Sequence, residues 1–238
     1  MDVPHRSIVA AYERTERRLD EFLAVLPLQS AHLQVWSPVL ASVVLEVGSR
    51  LDSLWKLQLR AMRRMDGRAK IPDYFRAFGS VVADRWLVLW ADEGQKVNPF
   101  APWQQVSSGQ KTKYAPLPWW QAYNHLKHDR WKHKEKATVR NAVLAVGGLF
   151  LAIIHCPMMG EALQESRWLH TDWNPEIVAA NINDDSTFDG TQASFESSLF
   201  SYAVAHGPGP ISASVYHQAT PRFRNWLIAN QRRPFPGI

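Results

Sequence analysis

A single cysteine, Cys156, stands in the 238 residues. That excludes an internal disulfide, and there is no cysteine pair from which to build a zinc finger or ribbon. Long apolar runs are scarce too. The longest, Ala142 to Cys156, follows directly on Arg140 and Asn141 and falls short of the roughly 20 apolar residues that a bilayer span takes. It reads as a buried helix. The start, Met1-Asp2-Val3-Pro4-His5-Arg6, leads into a charged amphipathic stretch without the apolar run of a signal peptide. A reducing, cytoplasmic setting without a membrane is therefore expected. Acidic side chains are the minority, 22 against 27 Lys and Arg, and a net charge of +5 favours anionic partners such as nucleic acid. No internal repeat is present, and Gly147-Gly148 lacks the strand and glycine spacing of a phosphate loop. It suits close helix packing instead. What is abundant is core material: 46% hydrophobic residues and 11 Trp exclude disorder throughout.

The apolar periodicity is helical over most of the chain. Ile8, Ala11, Tyr12, Leu19, Phe22, Leu23 and Leu26 recur along one face and predict a first helix over 7–27. Ser37-Pro38 is a helix start, with Ser able to cap and Pro at the first turn, and it opens a nearly all-round apolar helix over 37–65. Gly67 and Pro72 end it, and Asp73 to Phe78 reads as a short helix. Around 86–103 the pattern changes to Trp86-Leu87-Val88-Leu89-Trp90 and Asp92-Glu93-Gly94, predicting a minor strand pair or an extended aromatic loop. Gln105 to Pro118, with Ser107-Ser108-Gly109, is expected to be the most mobile internal loop. Helices over 118–134 and 136–156 follow, the second stopped by Pro157. Beyond Gly160 come a short helix to about Trp168, a stretch rich in Asn and Asp, Gly207-Pro208-Gly209-Pro210 and a short helix around Phe223 to Asn230. The expected fold class is all-α, with a bundle domain over 1–160 and a C-terminal extension over 161–238 packed on it.

Chemistry concentrates in Trp119 to Arg130. At 100° per residue, Trp119, Tyr123 and Leu126 share one arc flanked by Trp120 and Trp131, and Lys127 and Arg130 fall inside it. Cations on a core-facing stripe need counter-charges. The nearest supply is the helix over 37–65, where Glu46 and Asp52 interrupt the apolar surface and Arg50 stands one turn after Glu46. Two readings follow. In one the stripe is core, held by a salt-bridge network. In the other Asn124, Lys127, His128 and Arg130 floor a cleft between helices. There an imidazole titrating near neutrality moves protons and the cations hold a phosphate. That combination suits metal-independent RNA cleavage, with His128 as acid–base group, Lys127 and Arg130 stabilising phosphate charge, and Asn124 orienting the substrate or the imidazole.

Trp119-Trp120 with Tyr123-Asn124 and Lys127-His128-Asp129-Arg130, followed by the small-residue helix bearing Ala137, Asn141, Ala142 and Ala145, resembles uncharacterised bacterial proteins grouped with the HEPN superfamily. Glu46 to Asp52 and the turn Asp73-Tyr74-Phe75 fit the same resemblance, which covers roughly 37–78 and 117–155. It implies a bundle of four to five helices that often dimerises. It also implies an RNA-directed activity, in many members a metal-independent endoribonuclease of toxin–antitoxin or antiphage systems. Active members carry an Arg, four to six intervening residues and then the His. The nearest pairs here, Arg130 with His133 and Arg167 with His170, are closer than that, and Tyr123 stands where the Arg would be. A non-catalytic helical module that binds a partner protein or nucleotide is the alternative, marked by an exposed apolar patch near Trp86, Trp90 and Trp103.

Three further features are read conservatively. His125, His128 and His133 point apart on a helix, so no metal and no cofactor is expected. Cys156 and His155 diverge by 100° as helix neighbours, and the cysteine reads as a small buried hydrophobe. The basic run Lys127 to Lys136 is a solvated helix end, or a surface that combines phosphate contact with stacking on Trp131.

Overall fold

Helix α1, His5–Val25, buries Val9, Tyr12, Leu19 and Leu23 along one stripe. Helix α2, Pro38–Ala61, starts where the sequence predicts, because the Ser37 hydroxyl accepts from the Val39 amide at 3.1 Å. These come from a computed structural model that describes residues 5–63, 68–91, 93–106, 114–182, 193–203 and 218–230. Gly67, the loop at Ser107-Ser108-Gly109, much of the Asn- and Asp-rich stretch and Gly207 to Pro210 lie outside the described residues. Helix α3, Ile71–Val82, extends the expected short helix at both ends. Asp73 fixes its start by accepting from the Lys70 amide at 2.8 Å.

Helices α4, Pro118–His128, and α5, Val139–Ile154, complete the helical layer. Thr138 caps α5 by accepting from the Asn141 amide at 3.2 Å. Every α5 residue except Arg140 and Asn141 is buried, which is why the helix is apolar all round and relies on small residues. A Cβ on Gly147 would sit 3.2 Å from Leu87, Pro99 and Phe200, and one on Gly148 would sit 3.0 Å from Trp119. Gly148 thus permits the close approach of α4, as expected of helix packing, and Gly147 permits that of the sheet. Trp55 of α2 is the aromatic hub, with Tyr74, Phe78, Phe100, Trp103 and Trp120 rings at centroid distances of 5.0–6.2 Å. Among the described residues no single helix is long and apolar enough to cross a membrane. Only α5 taken with Pro157–Glu165 reaches that length and composition, across a 78° bend.

The all-α expectation is overturned by a five-stranded antiparallel sheet, which makes the protein an α+β fold. Strands β1, Leu87–Leu89, and β2, Gln95–Val97, form the predicted pair, with Leu87 opposite Val97. Short helices α6, Gly160–Glu165, and α7, Pro175–Asn181, flank strand β3, Leu169–Thr171. Strands β4, Ala193–Glu196, and β5, Phe200–Ala203, then complete the order β2-β1-β5-β4-β3. Alternation decides the two faces. Leu87, Leu89, Phe195, Phe200 and Tyr202 enter the helical core, while Val88 and Trp90 face a second cluster with Phe223 and Trp226 of helix α8, Pro221–Asn230. β1 pairs directly with β5, so the portions before and after residue 160 share one sheet.

A buried carboxylate joins the layers. Glu16 of α1 accepts from the Leu199 amide at 3.0 Å, the Ser198 amide at 3.3 Å, the Tyr12 hydroxyl at 3.1 Å and the Ser197 hydroxyl. It thereby satisfies the tight turn between β4 and β5, including the amide of buried Leu199, which would otherwise be unpaired in the interior. Burial raises the Glu16 carboxyl above its ordinary range against the pull of these donors, and it pushes the Tyr12 hydroxyl up as well.

Candidate functional site

The buried face of α4 is Trp119, Trp120, Ala122, Tyr123 and Leu126. Trp119 donates its indole N–H to the Pro99 carbonyl at 2.8 Å, and the Tyr123 ring lies directly on Gly48 of α2, where a Cβ would be only 2.3 Å away. The helix ends at His128, six residues before the expected end. Asp129 takes an extended conformation, and its carboxylate accepts from the Lys132 amide at 2.9 Å, which turns the chain out of the helix. Past that point the 100° rotation no longer applies. Arg130 and Trp131 are consequently not on the apolar arc.

Lys127 and Arg130 are both exposed. Lys127 Nζ lies 5.5 Å from the Tyr123 ring centroid, its stem leaving the apolar face at the helix edge. Arg130 donates to the Pro38 carbonyl at 3.0 Å and the Ser42 hydroxyl at 2.7 Å, pinning the turn to the first turn of α2. The expected approach of Glu46 or Asp52 to these cations does not occur. Glu46 pairs with Arg18 at 3.0 Å and with Arg50, while Asp52 takes Lys56 at 2.6 Å and the Tyr74 hydroxyl. Partners one turn away on the same helix are already in reach, so they capture these carboxylates first. Asn124 is half-buried and His128 exposed, and the expected cleft floor is instead an open surface.

That surface has members the sequence reading did not single out. The strand-like segment before α2 runs against the start of α5: Trp36 bridges Thr138, the Val139 amide donates to the Val35 carbonyl at 2.9 Å, and the Arg140 amide to Leu33 at 3.1 Å. This brings Trp36, 41% exposed, beside the turn that carries Trp131, 85% exposed. Lys134 Nζ stands 5.2 Å over the Trp36 ring. Residues 127–140 hold six cations, Lys127, Arg130, Lys132, Lys134, Lys136 and Arg140, against Asp129 and Glu135. Beside them a cavity of about 710 Å³ opens between α4 and α5, with Trp119 and Leu144 in its wall and Gln121, His125, Lys136 and Arg140 among its polar lining. The turn also folds His133 back on His125, ring centroids 4.9 Å apart, a pairing that a continuous helix forbids. Trp36 was missed because its neighbours at this surface are far away in sequence; a Trp just before a Ser-Pro helix start is the local clue.

Elsewhere the candidate features are buried. The Cys156 thiol is fully enclosed and pushed up to about 11 by burial, as befits a small hydrophobe. Trp90 and Trp103 belong to the interior, and Trp86 is half-buried under Lys96, whose Nζ lies 3.8 Å from its ring. The apolar patch expected at these three tryptophans is therefore not exposed. Compared with known protein families, curated proteins and solved structures, the chain matches none.

Proposed function

We propose that this protein binds single-stranded RNA on the surface formed by residues 127–140 and the segment before α2. The observation that carries the reading is the 85% exposure of Trp131 within a stretch of six cations and two carboxylates. A large indole held in water is a cost in a protein that binds nothing there, whereas base stacking on an aromatic ring beside phosphate-binding cations is the usual construction of a single-strand platform. Trp36 supplies a second ring on the same surface, and the resemblance to HEPN proteins makes RNA the polymer. The finer form of the proposal is a metal-independent ribonuclease of bacterial defence, with exposed His128 as acid–base group beside Lys127.

Fluorescence titration with a short unstructured RNA tests the binding. Stacking is worth about 1–3 kcal/mol per base, so Trp131→Ala is expected to raise Kd by roughly 5- to 150-fold with the fold intact. Lys132→Ala with Lys134→Ala should lower the slope of log K against log salt by about 0.7 for each phosphate that is no longer neutralised. Unchanged affinity in Trp131→Ala overturns the surface assignment. For cleavage, wild type and His128→Ala are compared on a mixed RNA pool. A loss of about 10²–10⁴-fold in the variant and products ending in 2′,3′-cyclic phosphate support the finer form, and equal rates refute it.

A further inference from the structure

A second surface feature lies at the other end of α2, where it packs beside α1. The ion pair of Arg18 with Glu46 sets the register of the two helices, so one turn further along each, Arg14 and Arg50 stand at the same level. Between the helices a groove of about 550 Å³ opens, in the size range of ligand sites, and it runs from that level to Arg60, about 15 Å along α2. Among the described residues three cations line it, Arg14, Arg50 and Arg60, and no carboxylate does. Glu46 lies outside the lining and is shared between two guanidinium groups. Among the described residues the side chains of Arg14 and Arg60 make no ion pair or hydrogen bond. Arg50 gives one donor to Glu46 and its side chain keeps 29% exposure, so other guanidinium N–H groups remain open to an acceptor in the groove.

Apart from Ser7, Ser49 and Ser53, the rest of the lining is aliphatic: Ile8 and Ala11 of α1, Leu54 and Leu57 of α2, and Leu149 of α5, with no aromatic ring among the described residues. A floor of methyl and methylene groups without a stacking ring suits an alkyl chain and offers a nucleobase little. We infer that this groove binds a single-chain amphiphilic anion, its carboxylate or phosphate head between Arg14 and Arg50 and its alkyl chain along Leu54, Leu57 and Leu149. Planar guanidinium groups hold either oxyanion head in bidentate geometry. The groove is separate from the RNA surface, which lies against the opposite end of α2.

Calorimetric titration of the full chain with dodecyl phosphate and dodecanoate below micelle-forming concentrations tests it. Saturable binding of one molecule per chain is expected, with affinity rising about two- to fourfold per added methylene between octyl and dodecyl phosphate. Inorganic phosphate and the uncharged dodecyl maltoside should each bind at least tenfold more weakly. Arg14→Gln, which breaks no ion pair, should weaken dodecyl phosphate about tenfold, as should Leu57→Gln. Arg17→Gln, outside the groove, should leave it unchanged, with melting curves confirming that all three variants fold. Equal loss in Arg14→Gln and Arg17→Gln shows attraction by charge alone and overturns the site. Inorganic phosphate binding as tightly as the amphiphile, or binding only to phosphatidylglycerol vesicles, overturns it equally.

Discussion

Glu16 is the residue whose chemistry depends most on where the fold puts it. In sequence it is one charge among Glu13, Arg14 and Arg17 on an amphipathic helix, yet it is buried and holds the β4–β5 turn. Because burial raises its pKa above the ordinary 4.5, the folded state binds a proton that the unfolded chain has released over the interval between the two values. Its contribution to stability is complete below the ordinary value and declines as pH rises through the raised one. Thermal melts of wild type and Glu16→Gln across that interval should show the wild type's relative advantage greatest in acid and shrinking upward. An advantage that grows with pH would mean that the amide and hydroxyl donors outweigh burial. Cys156 is a simpler case. A thiol pushed up to about 11 from 9.0 holds about a hundredfold less thiolate near neutrality. Labelling by a thiol reagent should therefore be slower in the folded protein by at least that factor, and rapid labelling would place Cys156 at the surface.

At the scale of elements, helix α4 shows how a local signal competes with periodicity. Trp119, Tyr123 and Leu126 form the buried stripe that the spacing predicts, and Tyr123 uses Gly48 as its seat on α2. Gly48→Ala forces that ring aside, and overpacking of this kind costs about 1–3 kcal/mol, a drop of roughly 2–12 °C in Tm for a chain of this size. Gly48→Ala combined with Tyr123→Leu should recover part of the loss, and an unchanged melt for Gly48→Ala alone would refute the close contact. The end of the helix was not legible from periodicity. Asp129 can cap its own turn, and the cations that follow gain more from water than from the apolar arc, so the helix stops where its buried face stops. Strands β4 and β5 were legible in principle. Ser194, Glu196 and Ser201 alternate with Phe195, Phe200 and Tyr202, but the segments are only four residues long and lie beside an Asn- and Asp-rich stretch.

For the whole molecule, the sheet joins what the chain order separates. β1 has β2 on one edge and β5 on the other, and Leu87, Gly147 and Phe200 meet at one point of the core. A chain ended at residue 160 would leave one edge of β1 unpaired and remove Phe200 from beside Gly147. Such a fragment is expected to lose cooperative melting and to bind a hydrophobic dye, whereas a sharp transition close to that of the intact protein would show that 1–160 folds alone. The sequence by itself determined the main helices, the capped start at Ser37, the place of the glycine pair in α5 and the burial of Cys156, because each depends on neighbours within a turn or two. It also marked the stretch from Trp119 to Arg130 and the basic run beyond it. Only the tertiary structure decided that the fold is α+β, that Glu46 and Asp52 serve other cations than Lys127 and Arg130, and that Trp36 joins Trp131 on one surface. Those outcomes depend on which distant partner arrives first and at what geometry, and spacing along the chain carries no record of that.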